Sequence, residues 1–186
     1  MRFSLTYLVT FIFFGCAGDA ISQQAVDSSY TDISDKTCAK HIDDESTGAY
    51  TMTCPGVHGF KLHVLYDDER SSVNIVTPDK SVLPLNYWEV VTRGFSTLGN
   101  RVEWRVDKTK AKATPIAVIV RVNALDQSDV EHPKRVALLA VAKISRRAAC
   151  VTGVVSAISS DANNQARHLA DDSRVECLSI TFQPKH

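Results

Sequence analysis

The sequence predicts an α+β fold, a mainly antiparallel β-sheet with one C-terminal helix packed on it before the last strand. Apolar residues alternate at period two in several short segments, polar turns separate those segments, and one late stretch repeats its small apolar residues at helical spacing. A helix with a single apolar stripe needs a sheet to bury it, so strands, helix and strand in that order make one α+β domain.

The N-terminus comes first. Arg2 precedes an uncharged apolar run from Leu5 to Phe14, followed by the small residues Gly15, Cys16, Ala17, Gly18 and Ala20. That order of charged, apolar and small regions is the pattern of a secretory signal peptide, assigned to residues 1–20 with cleavage after Ala20 or after Ala17. The run is about ten residues, short of the roughly 18 that cross a bilayer. Lipidation at Cys16 is the alternative, and Phe13 and Phe14 are a poor match to the aliphatic residues of such sites. Residues 21–37 read as a polar N-terminal arm, and 38–186 as a single disulfide-bonded domain, long enough to bury a core.

Within that domain Gly48 to Thr53 is a short strand, stopped by the turn Cys54-Pro55-Gly56. Phe60, Leu62, Val64 and Tyr66 then share one face of a half-buried strand. Asp67 to Arg70 turns it into Ser72–Val76, and Thr77-Pro78-Asp79 ends the hairpin. Leu83 to Gly99 suits neither period and reads as a loop with short structured pieces. In Arg101–Val106 the residues Val102, Trp104 and Val106 point one way, Glu103 and Arg105 the other. Lysine-rich 108–112 turns into Pro115–Val122, which the polar loop Asp126–Pro133 joins to Arg135–Ile144; Cys150–Ala157 is another strand. The helix starts after Ser160, with the Asp161 carboxylate as N-cap to free backbone N–H groups. Ala162, Ala166, Leu169 and Ala170 form its apolar stripe, small enough for close packing on a sheet. Asp171 and Asp172 oppose the helix dipole and should end it. Arg167 and Asp171 read as an ordinary ion pair on the helix surface, and Val175–Phe182 as the last strand.

A formal net charge of +0 is unlike a nucleic-acid binder, which needs excess Lys and Arg to neutralise phosphates. The balance hides an asymmetry along the chain. Acidic residues prevail between Gln23 and Arg70, basic ones between Arg101 and Cys150. If Cys16 leaves with the signal, Cys38, Cys54, Cys150 and Cys177 remain, an even number in an oxidising compartment. Three pairings are open, and local order favours Cys38 with Cys54 and Cys150 with Cys177. Zinc is disfavoured by export and by the lack of C-x-x-C spacing.

Reactive motifs are scarce. Gly94-Phe-Ser-Thr-Leu-Gly99 has the wrong spacing for a nucleophile elbow, and no P-loop, G-x-G-x-x-G or H-E-x-x-H occurs. Asp67-Asp68-Glu69 lacks the order of a calcium loop. His58 and His63 with Asp67 or Asp68 read as surface residues rather than metal ligands. The sequence thus indicates no catalytic, cofactor-binding or metal residue.

Tyr30-Thr-Asp-Ile with Cys38, the Cys54-Pro-Gly turn, Val102-Glu-Trp-Arg105, Cys150, and the run Asp161 to Asp171 followed by Cys177 form a pattern over most of the mature chain. Together they resemble an uncharacterised family of small exported proteins, seen mainly in alphaproteobacteria. The resemblance implies a periplasmic or secreted location and paired cysteines, and it implies no activity. The expectation is therefore a non-catalytic binding or envelope-associated protein without cofactor, whose partner would be a protein in the periplasm or outside the cell. Two alternatives stand beside it. One is a periplasmic hydrolase-type enzyme with a site assembled from dispersed residues such as His63, Asp68 and Arg105. The other is an inhibitor of a basic host hydrolase such as lysozyme, drawn to acidic turns like Asp67–Glu69.

Overall fold

Ten strands divide between two antiparallel sheets in the computed structural model of the chain, which describes residues 25–109, 111–129 and 131–179. The expected signal peptide, its cleavage position and the alternative lipid site at Cys16 lie outside the described residues. One sheet runs in the order β1 (Val26–Asp32), β7 (Ser96–Asp107), β8 (Thr114–Asp126), β9 (Lys134–Ile144) and β10 (Ala149–Ser156). The other runs β2 (Ala39–Asp44), β3 (Ala49–Pro55), β4 (Lys61–Asp67), β5 (Arg70–Val76) and β6 (Val82–Pro84).

The expected alternation is what joins the sheets. Met52, Leu62, Val64, Val73 and Ile75 project from the β2–β6 sheet and meet Val102, Trp104, Val118, Val120 and Ala142 from the other, all buried in one core. Trp104 fills its centre and donates its indole N–H to Thr31 Oγ1 at 2.9 Å, so its polar edge is satisfied. The opposite face of the β1–β10 sheet carries Ala117, Ile119, Leu139, Val141 and Val155, and onto it packs α2 (Ala162–Asp171) through Ala162, Ala166 and Ala170. Gly153 makes room there, since a Cβ at that position would sit 3.0 Å from the Leu169 side chain. The molecule is thus three layers, sheet on sheet on helix.

Several expectations change. Residues 26–32, read as part of the polar arm, are strand β1, paired residue for residue with β7 from Val26↔Asp107 to Asp32↔Arg101. Its inward positions are Ser29 and Thr31, so backbone hydrogen bonds hold it rather than apolar burial. The loop 83–99 contains β6, the four-residue α1 (Tyr87–Val90) and the start of β7. Val175–Ser179 is irregular and not a strand, tied to β10 by the Cys150–Cys177 disulfide and by a hydrogen bond from the Leu178 N–H to the Val151 carbonyl at 2.7 Å; residues 180–182 lie outside the described residues. Asp161 precedes α2 as expected, yet its carboxylate accepts from the Asn164 side-chain amide at 2.8 Å, not from the backbone. Two disulfides, Cys38–Cys54 and Cys150–Cys177, close the favoured pairing. They fit an oxidising, non-cytoplasmic environment. No described helix is long and apolar enough to cross a membrane.

Candidate functional site

Between the two sheets, at the end where β4 turns into β5, the core stops short and leaves a cleft of about 1020 Å³. The pairing register explains its walls. Tyr50 pairs with Tyr66 and Tyr66 with Ser71, continuing the inward row of one sheet, while Ser96, Ala124 and Val136 continue that of the other. Tyr50 and Tyr66 stack with ring centroids 4.4 Å apart, and the Lys40 ammonium sits 3.5 Å from the centre of the Tyr50 ring. Burial raises the Tyr66 hydroxyl to about 12, with Tyr50 and Asp35 adding to the shift; burial raises Tyr50 as well. Both phenols are therefore neutral donors at ordinary pH.

Phe95 and Ile158 line the cleft with 42% and 86% of their surface exposed. Phe95 is placed by Gly94, where any Cβ would come within 2.2 Å of the Leu125 carbonyl oxygen, so only glycine lets this turn lie against β8. Along the lip runs the turn Asp67-Asp68-Glu69-Arg70. Asp68 and Glu69 both take positive φ, 48° and 55°, the backbone of a two-residue type I′ hairpin that usually recruits Asn-Gly. The turn is pinned by the Ser96 N–H donating to the Glu69 carbonyl at 2.9 Å and the Ser71 hydroxyl donating to the Ser96 carbonyl at 3.1 Å.

A second polar constellation lies between α2 and the sheet beneath it. Arg105, 3% exposed, grips the Asp171 carboxylate with Nε at 2.8 Å and Nη2 at 2.6 Å, and also donates to the Ser28 hydroxyl. Ser28 in turn donates to Glu103 Oε1 at 2.6 Å. Arg167 donates from Nε and Nη2 to the two oxygens of Glu103, at 2.6 and 3.2 Å, and from Nη2 to the Tyr30 hydroxyl at 3.3 Å. The Asp171 carboxylate raises the Arg105 pKa, and Glu103 raises that of Arg167. Two cations and two anions answer one another here. The set fastens the helix to the sheet. The expected Arg167–Asp171 pair on the helix surface is replaced by these cross-layer pairs, because both side chains point down to partners spaced two apart on β7.

The remaining sequence candidates do not converge. Arg105 lies beneath α2, His63 is on the outward face of the other sheet, and Asp68 is on the cleft lip, paired with Arg70 at 3.3 Å. Sheet thickness alone keeps Arg105 and His63 about 10 Å or more apart. His58 sits in the β3–β4 turn at the far end of β4 from Asp67 and Asp68. Among the described residues no group of three or more His, Cys, Asp or Glu is placed to hold a metal. Compared with protein-family models, curated proteins and solved structures, the chain matches none.

The cleft had no signal in the sequence, since its lining comes from six separated segments. The charged layer did have one. Glu103 and Arg105 at i, i+2 on a strand mirror Arg167 and Asp171 at i, i+4 on a helix, with opposite signs facing.

Proposed function

We propose that this chain is an exported, non-catalytic binding protein of the periplasm or the cell exterior, and that its ligand sits in the cleft between the sheets. The cleft carries the reading: it is a concave space of about 1020 Å³ with an aromatic wall, apolar residues at its rim and a lip of charged and hydroxyl side chains, so apolar surface and polar groups converge on one space. Export is supported by the apolar N-terminal run, by the two disulfides and by the resemblance to small exported bacterial proteins. A core braced by two disulfides suits a preformed site that meets its ligand without large rearrangement.

The test uses the neutral apolar dye Nile red as a probe. Its fluorescence should rise and saturate with the mature protein, and Val136→Trp, which fills the cleft from a half-buried position, should abolish the rise while leaving the circular dichroism unchanged. No rise with the folded parent, or an equal rise with the variant, would refute the cleft as the binding site.

A further inference from the structure

We propose that the occupant of the cleft is a cationic polypeptide segment, one that seats an apolar side chain between the sheets and presents Lys or Arg to carboxylates around the mouth. This rests on the binding reading above and goes further by stating the partner's chemistry.

The topology sorts the charges of a formally neutral chain to opposite ends. Three turns surround or adjoin the cleft. The β2–β3 turn brings Asp44 and Glu45, the β4–β5 turn Asp67, Asp68 and Glu69, and the β8–β9 loop Asp129 and Glu131. Two turns at the other end are basic, with Lys108 and Lys112 between β7 and β8, and Arg146 and Arg147 between β9 and β10. The asymmetry seen along the sequence has become a polarity along the strands. Arg70 and Arg135 line the cleft as well, but Arg70 is engaged with Asp68 at 3.3 Å. Asp67 and Glu69 are exposed and take no ion pair from a described residue, and Arg135 offsets one of them, so three carboxylates against two guanidiniums leave the cleft lining net negative.

A second feature points the same way. The Tyr50 ring is already taken on one face by the Lys40 ammonium, 3.5 Å from its centre, so the aromatic wall offers the partner an apolar surface and the partner's cations are left to the carboxylates of the mouth. Phe95 and Ile158, exposed at the rim, offer apolar surface to a side chain entering the cleft. Carboxylates spread over three turns call for several separated cations, and the space between calls for an apolar side chain. A polypeptide supplies both. A neutral glycan lacks the charge, and an anionic lipid would be repelled at the mouth.

The blocked peptide acetyl-Lys-Leu-Phe-Lys-amide, its counterpart with norleucine for both lysines and its counterpart with glutamate for both serve as probes against the isotopically labelled mature chain. The lysine peptide should shift the backbone amides of Glu69, Ser96 and Ala124, and should displace Nile red. Replacing its lysines with norleucine should weaken binding roughly tenfold, the size expected for lost charge contacts at a partly desolvated rim. The same weakening should follow from Asp67→Asn with Glu69→Gln, and added salt should shrink the difference between the peptides. Equal or tighter binding of the norleucine or glutamate peptide would overturn the proposal, as would shifts confined to the Lys108 and Arg147 end. Amide shifts in the cleft with chitotetraose but not with the lysine peptide would replace it with a glycan. Salt-sensitive self-association abolished by the double variant, with no peptide binding, would replace it with a second copy of the chain. Where Nile red binds and the lysine peptide does not, only the partner's chemistry fails; where neither binds, the binding reading fails too.

Discussion

Arg105 is the residue on which α2 depends most. Its guanidinium is 3% exposed and its donors are taken by Asp171, Ser28 and the Val26 carbonyl, so alanine there strips partners from groups that water reaches poorly. Removing one side of a buried pair costs about 3–5 kcal/mol, and because the Asp171 side chain is 29% exposed the lower end, about 3 kcal/mol, is expected for Arg105→Ala in urea denaturation. Arg105→Met combined with Asp171→Leu should cost less than Arg105→Ala alone, since it leaves no orphaned charge between them. Arg167→Ala, which on an open helix surface would cost about 0.5 kcal/mol or less, should here cost about 1–2 kcal/mol, because it takes two donors from Glu103, whose side chain is only 10% exposed. Tyr66 makes a prediction about pH. Its folded pKa of about 12 lies above the ordinary value near 10, so the folded state keeps a proton that the unfolded chain releases between them. The stabilisation is complete below about pH 10 and is lost as pH rises toward 12. Tyr66→Phe should flatten that alkaline loss relative to the parent and remove a late step, near pH 12, from the ultraviolet tyrosinate titration; loss of a step near pH 10 instead would show that Tyr66 ionises normally.

At the scale of elements, α2 is a test of close packing. Ala166 is fully buried against the sheet, so Ala166→Leu should overpack the interface and cost about 1–3 kcal/mol, read as a fall in melting temperature. The β4–β5 hairpin tests the opposite. Glu69 holds a left-handed backbone that glycine adopts freely, so Glu69→Gly should raise stability by up to about 1 kcal/mol, less whatever glycine adds to unfolded-chain entropy. The two-residue turn thus keeps a carboxylate at the lip at some cost in stability. How much of this the sequence discloses depends on what each element buries. The strands β4 and β7 are legible because Leu62 and Val64, and Val102 and Trp104, alternate with outward residues, and β8 and β9 because burial on both faces makes them continuous apolar runs. Strand β1 is not, because Ser29 and Thr31 face inward without apolar signal. The division into two sheets follows from register and turn geometry between distant segments, and so does the cleft, whose walls at Tyr50, Tyr66, Ser96, Ala124 and Val136 meet only after folding. The charged layer was half legible. Its residues have complementary spacing, but which pair meets depends on the helix lying across β7.

For the molecule as a whole, the two disulfides brace different layers, and that yields separable outcomes. Cys38–Cys54, 16 residues apart, joins the chain before β2 to the inward end of β3, and Cys54 is buried in the core. Strand β2 is exposed along its length and pairs only with β3, so this bridge is what keeps it from fraying. Cys150–Cys177, 27 residues apart, closes a loop that contains α2 and returns the chain after it to β10. In the chain-entropy model each closure contributes about 3 kcal/mol. Losing both would remove about 6 kcal/mol, as much as many domains possess, so the fully reduced chain should be marginal or unfolded. Losing one should not be. With Cys150→Ser and Cys177→Ser, α2 still has its alanine face and both cross-layer ion pairs, so amide exchange should quicken over residues 172–179 while the helix stays protected. With Cys38→Ala and Cys54→Ala, exchange should instead quicken along β2 and the edge of β3, with α2 untouched. Loss of protection in α2 in the first variant would mean that the disulfide, and not the Arg105–Asp171 and Arg167–Glu103 pairs, holds the helix to the sheet.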